Sequence, residues 1–144
     1  MITAEQAGKM NTMAYYITGV KDGVPQFAEG TPDNMKSVDG FKVYDAHTGT
    51  NGQFLVAFAT DAKDSAYIAA RGTDGLADLR PDAGISINMT PNGRIDDATD
   101  YIDTISIKLG LDRYNIYGGG HSLGGLVMAR ASSQKGIYGI VGRS

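Results

Sequence analysis

The sequence predicts an α/β fold in which a mixed β-sheet carries helices on both faces. Over residues 53–141, short apolar segments of strand length alternate with two longer segments of helical periodicity, in the order β-β-α-β-α-β. The first two strands are close enough to pair as a hairpin, whereas the helical connections favour parallel pairing, so the sheet is mixed. No linker or internal repeat is visible, and we expect the 144 residues to form one domain.

The N-terminal segment is predicted to be an amphipathic helix over residues 4–18. Thr3 and Gln6 have the spacing of a capping box, in which each side chain accepts a hydrogen bond from a backbone N–H at the helix start. The apolar positions repeat at helical spacing, at Ala7, Met10, Ala14 and Ile17. Residues 20–40 are rich in glycine and proline and are predicted to be a loop, with one short helix from Pro32 to about residue 37.

Three further segments have the composition of extended chain. Residues 41–45 are predicted to be an edge strand. Residues 53–60 and 66–71 are apolar and β-prone, and the short polar turn between them indicates a hairpin. A short extended piece is predicted over residues 85–89.

The longest helix is predicted over residues 92–110. Asn92 can cap it, and Asp96 and Asp97 are expected in its first turn, where the helix dipole favours negative charge. Gly110 ends the apolar periodicity, as glycine commonly does at a helix C-terminus.

The C-terminal segment completes the alternation of strands and helices. Residues 114–118 are predicted to be a strand, which a sharp turn connects to a helix that runs to about Gln134. Residues 137–141 are predicted to be a last apolar strand.

The composition excludes several classes of protein. The net charge is −3 and no basic patch is visible, which argues against a nucleic-acid partner. The absence of cysteine excludes disulfides, thiolate metal sites and a cysteine nucleophile. No signal peptide and no apolar run of membrane-spanning length is visible, so we expect a soluble protein without a membrane span. It would be cytoplasmic or exported by a signal-independent route, and its compartment stays open.

The pattern Gly-x-Ser-x-Gly, formed by Gly120, Ser122 and Gly124, is typical of a nucleophile elbow. An attacking serine must lie at the tip of a sharp turn between a strand and a helix, with its hydroxyl exposed. Glycines two positions to either side let the strand and the helix approach without a Cβ clash. The same turn directs the backbone N–H of Leu123 towards the place where an oxyanion would form.

A second motif, Arg-Gly-Thr-Asp, ends the strand predicted over residues 66–71. An oxyanion hole needs another donor from a loop at the same edge of the sheet. Gly72 would let the backbone turn over the site, and Thr73 offers both an N–H and a hydroxyl. Taken alone, this motif is better interpreted as a plain turn that ends a strand. Because the elbow motif is also present, the interpretation as an oxyanion loop is preferred.

Together, the two motifs resemble those of the class 3 (fungal-type) lipases of the α/β-hydrolase fold. The resemblance covers about residues 53–141 and implies a carboxylic-ester hydrolase that needs no cofactor. It implies acylglycerol or phospholipid substrates, although small soluble esters would also suit a site with a short lid. The residues that match the family motifs are Ser122 as nucleophile, Thr73 and Leu123 as oxyanion-hole residues, Arg71 and Asp82 as a supporting charged pair, and His121 as the elbow histidine, which is not the triad base.

The chain departs from the family pattern in the rest of the triad. The family places the triad aspartate and histidine after the strand that follows the elbow helix, and the sequence stops at that strand. We therefore expect an incomplete domain, whose triad base and acid are unknown. The two histidines, His47 and His121, are poor substitutes, because His47 is expected in a distant loop and adjacent side chains on a tight turn point apart.

Two alternatives remain open from the sequence. One is a catalytically inactive module of the same fold with a binding or assembly role, which could form a homo-oligomer through the exposed edge of its last strand. The other concerns Asp74, Asp78 and Asp82, which could form a row of metal ligands. Their spacing is not that of a calcium loop, so surface and ion-pair carboxylates are the preferred interpretation and no metal is expected.

Overall fold

The computed structural model of the protein describes residues 1–72 and 92–140. Eleven helices and strands lie in these two ranges, and short 3-10 turns connect several of them. In chain order they are α1 (Ala4–Met13), β1 (Ile17–Lys21), β2 (Val24–Phe27), β3 (Ser37–Val38), β4 (Phe41–Thr48), β5 (Phe54–Thr60), β6 (Ala66–Ala70), α2 (Asn92–Leu109), β7 (Ile116–Gly120), α3 (Leu123–Lys135) and β8 (Tyr138–Gly139).

Six of the strands form one mixed sheet in the order β3-β4-β5-β6-β7-β8, and β1 pairs with β2 as a separate hairpin. Pairing is antiparallel from β3 to β6 and parallel from β6 to β8. The predicted order β-β-α-β-α-β is therefore confirmed. Because β4, β6, β7 and β8 run in one direction, their carboxyl ends lie at the same edge of the sheet.

Helices cover both faces of the sheet and form two apolar cores. Alternate residues of β5 take part in different cores, with Leu55 and Ala57 packed against α2 and α3, and Val56 and Phe58 packed on the side of α1. This arrangement explains why β5 and β6 are apolar throughout rather than alternating, since neither face of these strands meets water. The domain is thus an α/β structure with a mixed, two-sided sheet.

The N-terminal helix begins as predicted and ends earlier. Thr3 and Gln6 form the predicted capping box. The helix stops at Met13, a 3-10 turn spans Ala14–Tyr16, and the chain is extended from Ile17. The prediction of a helix over residues 4–18 was wrong at its end, because Ile17 and Thr18 are β-branched and belong to β1, which pairs with β2.

The prediction of a loop over residues 20–40 was also wrong. Two hairpins lie there, and each turns through an Asp-Gly pair, Asp22-Gly23 between β1 and β2 and Asp39-Gly40 between β3 and β4. All four residues have positive φ, as a two-residue type I′ turn requires. The predicted short helix after Pro32 is a single 3-10 turn, Asp33–Met35.

Several boundaries differ from the predictions. The strand predicted over residues 41–45 runs to Thr48, and β3 pairs beside it at the sheet edge. The strand predicted over residues 114–118 is shifted two residues later, and the last strand is shorter than predicted. The extended piece predicted over residues 85–89 and residue 141 lie outside the described residues.

Helix α2 matches its predicted range but not its predicted first turn. Gly110 follows it with a positive φ of 66°, as expected for a C-terminal glycine. Asn92 is the first helical residue, so Asp96 and Asp97 lie in the second turn. Asp97 is buried and accepts hydrogen bonds from the backbone N–H groups of Asn51 and Gln53, which lie in and just after the turn that connects β4 to β5.

We predict that a buried and an exposed isoleucine of α2 differ strongly in their contribution to the stability of the fold. The Ile105 side chain is 0% exposed in the core, whereas that of Ile107 is 82% exposed on the same helix. Ile105→Ala should lower the free energy of unfolding by about 2–5 kcal/mol, since it leaves a cavity. The matched control Ile107→Ala should change it by less than about 0.5 kcal/mol. Urea denaturation measures both, and equal losses would contradict the described orientation of α2.

Candidate active site

The candidate nucleophile lies where β7 ends and α3 begins. Ser122 is the N-cap of α3 and its backbone has φ 54° and ψ −124°, a conformation that L residues rarely adopt. Its side chain is exposed at the carboxyl edge of the sheet. A sharp, strained turn between strand and helix with an exposed serine at its tip is the geometry that the elbow motif predicts.

The glycines around Ser122 are required by close backbone contacts. A Cβ atom on Gly124 would overlap the carbonyl oxygen of Ala70, and one on Gly120 would overlap the same oxygen. A Cβ on Gly72 would overlap the carbonyl oxygen of His121. The end of β6 therefore lies directly against the elbow, at a distance that only glycine allows.

The start of α3 supplies backbone donors next to Ser122. Leu123 is the first helical residue, and the first N–H groups of a helix have no partner within the helix. The aligned peptide dipoles add partial positive charge at this end. The N–H of Leu123 thus lies at the positive end of α3, next to Ser122, and its role as an oxyanion donor stays a prediction.

The second motif begins at the neighbouring strand end. Ala70 of β6 and Gly120 of β7 are register partners in the parallel pair, so Arg71 and Gly72 emerge beside the elbow. The amide Nε2 of Gln53, which is fully buried, donates to the Arg71 carbonyl at 2.7 Å and to that of Phe54 at 2.9 Å. A buried side chain thus holds the backbone directly after β6 in place.

The Arg71 side chain packs between Phe54 and the segment that follows α1. Its guanidinium lies 3.9 Å from the centre of the Phe54 ring, and Nη1 donates to the Ile17 carbonyl at 3.4 Å and to that of Ala14 at 3.5 Å. Thr73 and Asp82, the predicted oxyanion donor and the predicted partner of Arg71, lie outside the described residues, as does the row Asp74, Asp78 and Asp82.

His121 is buried, whereas the adjacent Ser122 is exposed. The His121 ring stacks on the Tyr15 ring with 5.7 Å between centroids and an interplanar angle of 22°. Within residues 1–72 and 92–140, its Nδ1 atom has no hydrogen-bond partner. Burial lowers the pKa of His121 below its ordinary value, so the neutral ring is favoured.

His47 lies on β4, not in a loop as the sequence suggested. Register pairing places His47, Leu55, Ala70 and Gly120 in one row across four strands, so His47 is about 14 Å from the elbow strand, at about 4.8 Å per strand. Its ring stacks on Tyr101 of α2 at 5.7 Å. Direct proton transfer from Ser122 to His47 is excluded at this separation.

A separate open cleft of about 270 Å³ lies at the end of β4, against α2. Asp45 accepts a hydrogen bond from the Tyr101 hydroxyl at 2.7 Å, and His47 and Lys108 line the same cleft. Burial, and then the carboxylate of Asp45, raise the pKa of Tyr101 above its ordinary value. The cleft does not include the elbow, and no sequence pattern predicts it.

The described residues also bear on two other classes of site. In residues 1–72 and 92–140, no three side chains of His, Asp or Glu converge as a metal site. No helix in those ranges is long and apolar enough to cross a membrane.

Comparison of the chain with protein-family models, with curated proteins and with solved structures finds no match. The likeness to class 3 lipases therefore depends on the two motifs and on the residues that surround them.

Two residues near the site were missed by sequence reasoning. Tyr15 lies within the segment that the sequence predicts as a helix, Gln53 begins a predicted strand, and no motif includes either residue. The only signal in the sequence was a polar residue at the start of an apolar strand, and a long-range contact cannot be derived from spacing within one segment.

We predict that the contact between β6 and the elbow tolerates no added methyl group. Alanine favours a helix over glycine by about 1 kcal/mol, yet Gly124→Ala should lower the free energy of unfolding by about 1–3 kcal/mol, because the new Cβ overlaps the Ala70 carbonyl. The control Gly139→Ala places its Cβ at an ordinary 3.4 Å from the Ser132 Cβ and should change stability by less than about 0.5 kcal/mol. A stabilised Gly124→Ala in thermal unfolding would contradict the close approach.

We also predict that His121 makes stability depend on pH. Because burial lowers its folded-state pKa, the unfolded chain binds the proton more readily, with a pKa of about 6.5. This contribution is fully present above about pH 6.5 and is lost as the pH falls through that value towards the folded pKa. The urea midpoint of His121→Gln should therefore drop less between pH 7.5 and pH 5.5 than that of the unaltered protein. An equal drop in both proteins would refute the assignment.

Proposed function

We propose that the protein is a serine carboxylic-ester hydrolase of the class 3 lipase type, with an α/β-hydrolase fold and Ser122 as nucleophile. The observation that carries the proposal is the backbone of Ser122, whose φ of 54° exposes the hydroxyl at a strand-to-helix turn. A strained conformation of a non-glycine residue persists only where the surrounding structure holds it, and such residues are concentrated at functional sites.

In the proposed reaction, the Ser122 oxygen attacks the ester carbonyl carbon while its proton passes to a general base. The tetrahedral intermediate collapses with cleavage of the ester C–O bond, and the alcohol leaves with a proton from the base. Water then attacks the acyl-enzyme and releases the carboxylic acid, which restores the serine hydroxyl. No cofactor takes part in any of these steps.

The negative charge on the intermediate would be stabilised by backbone donors. The N–H of Leu123 supplies one, at the positive end of the dipole of α3. Thr73 would supply the second through its N–H, with its hydroxyl as an additional donor, since it follows Gly72 at the adjoining strand end. Removal of one such donor from an enzyme typically costs about 10²–10³ in kcat.

The general base of the proposal is neither of the chain's two histidines. His47 lies three strands away from the elbow, and the His121 ring is buried against Tyr15. The base and its orienting carboxylate must therefore be other groups. In enzymes of this kind, loss of triad members lowers the rate by about 10⁴–10⁶, so activity depends strongly on their presence.

The proposed substrates are esters with an accessible carbonyl, because Ser122 is exposed at the carboxyl ends of the strands. The motif resemblance favours acylglycerols or phospholipids, and small soluble esters are the alternative within the same reaction class.

The decisive test is covalent labelling of Ser122. We expect a fluorophosphonate probe to label the protein at Ser122, located by mass spectrometry of the tryptic peptides, and p-nitrophenyl butyrate to be hydrolysed. Ser122→Ala should lose the label and the hydrolysis. Ser133→Ala is the matched control, because Ser133 is an exposed serine of the same helix, and it should keep both. Labelling that persists in Ser122→Ala, or none in the unaltered protein, would overturn the proposal.

A non-catalytic assembly module is the second candidate, and the edge of the sheet favours it. Within the described residues, β8 pairs only with β7, and its Tyr138 is 49% exposed and stacks on Tyr117 at 5.3 Å. A free strand edge with an exposed aromatic residue suits pairing with a second copy. Absence of labelling together with a dimer in analytical ultracentrifugation, reduced by Tyr138→Lys, would favour this candidate.

A further inference from the structure

We propose that Tyr15 is a positioning residue that sets the distance between the strand end at Arg71 and Gly72 and the elbow that carries Ser122. The inference rests on the proposed function and adds a part of the site that neither motif contains. Tyr15 belongs to the 3-10 turn Ala14–Tyr16, which joins α1 to β1.

Tyr15 contacts both halves of the site. Its hydroxyl oxygen accepts a hydrogen bond from the Gly72 N–H at 3.4 Å, and its ring stacks on His121 at 5.7 Å. Gly72 and His121 also contact one another, since a Cβ on Gly72 would overlap the His121 carbonyl oxygen. The Tyr15 side chain therefore contacts two residues, each of which directly precedes a proposed functional residue. Gly72 precedes Thr73, and His121 precedes Ser122.

The turn that carries Tyr15 is itself bound to the Arg71 side chain. The Arg71 guanidinium is 6.0 Å from the centre of the Tyr15 ring, and Nη1 donates to the carbonyls of Ala14 and Ile17, which flank the turn. Tyr15 is therefore held in place by the same strand end that it contacts.

The consequence concerns the spacing of the two proposed oxyanion donors. Thr73 follows Gly72 directly, and Leu123 lies two residues after His121. If the Tyr15 ring is removed, His121 loses its stacking partner and Gly72 loses its acceptor, so the two backbone segments can shift relative to one another. Misplacement of oxyanion donors by a fraction of an ångström weakens transition-state stabilisation more than substrate binding.

The test compares Tyr15→Leu, which keeps apolar volume without a ring or hydroxyl, with Tyr15→Phe, which keeps the ring. Tyr16→Leu is the matched control, because Tyr16 is the adjacent half-buried tyrosine of the same turn. We expect Tyr15→Leu to slow fluorophosphonate labelling of Ser122 by about 10–100-fold and to lower kcat for p-nitrophenyl butyrate similarly, with KM changed less than threefold. Tyr15→Phe should recover most of the rate, and Tyr16→Leu should behave like the unaltered protein.

A folded Tyr15→Leu that labels at the unaltered rate, or one that raises KM alone, would overturn the inference. Backbone amide chemical shifts separate this failure from failure of the proposed function. If the unaltered protein is not labelled, the proposed function fails. Tyr15 remains a positioning residue only if the amide resonances of Gly72 and Leu123 move in Tyr15→Leu but not in Tyr16→Leu. If Tyr15→Leu does not fold, an unmoved Gly72 amide in Tyr15→Phe overturns the inference.

Discussion

The structure depends on one close contact between two backbones, the Ala70 carbonyl at the end of β6 against the first turn of α3. Glycines at positions 120 and 124 make this contact possible, because any Cβ there would overlap the same oxygen. The contact limits the distance between the start of α3 and the end of β6. Ser122, which connects β7 to α3, has a positive φ at this short distance. The exposed Ser122 hydroxyl is therefore a result of backbone packing rather than of any side-chain interaction of the serine.

A buried polar network supports this contact from the opposite side of the strand end. Asp97 of α2 accepts from the turn before β5, and Gln53 in turn donates to the Arg71 carbonyl. Buried polar groups of this kind are costly unless they are satisfied, and satisfied groups specify one arrangement of the chain. The network connects α2 to the end of β6, because the side chain that holds the Arg71 carbonyl belongs to a residue whose own N–H is held by Asp97.

The sequence predicted the central α/β order and the elbow because both depend on short-range patterns. Strand composition, helix periodicity and the glycines around Ser122 can each be recognised within a window of about fifteen residues. The hairpins at Asp22 and Asp39 had an equally local signal that the many glycines and prolines nearby obscured. The placement of Tyr15, Gln53 and His47 depends on which segments pack together, and no local pattern determines that.

The contact between Tyr15 and His121 has a consequence for how much of the chain the elbow requires. The two residues lie far apart in the sequence, and closing a loop of that length costs more conformational entropy than a local contact does. The segment that follows α1 finds its place against the elbow only when β7 and α3 are formed and packed. A segment that spans β7 and α3 alone would therefore contain the whole Gly-x-Ser-x-Gly pattern without the ring that packs beside it.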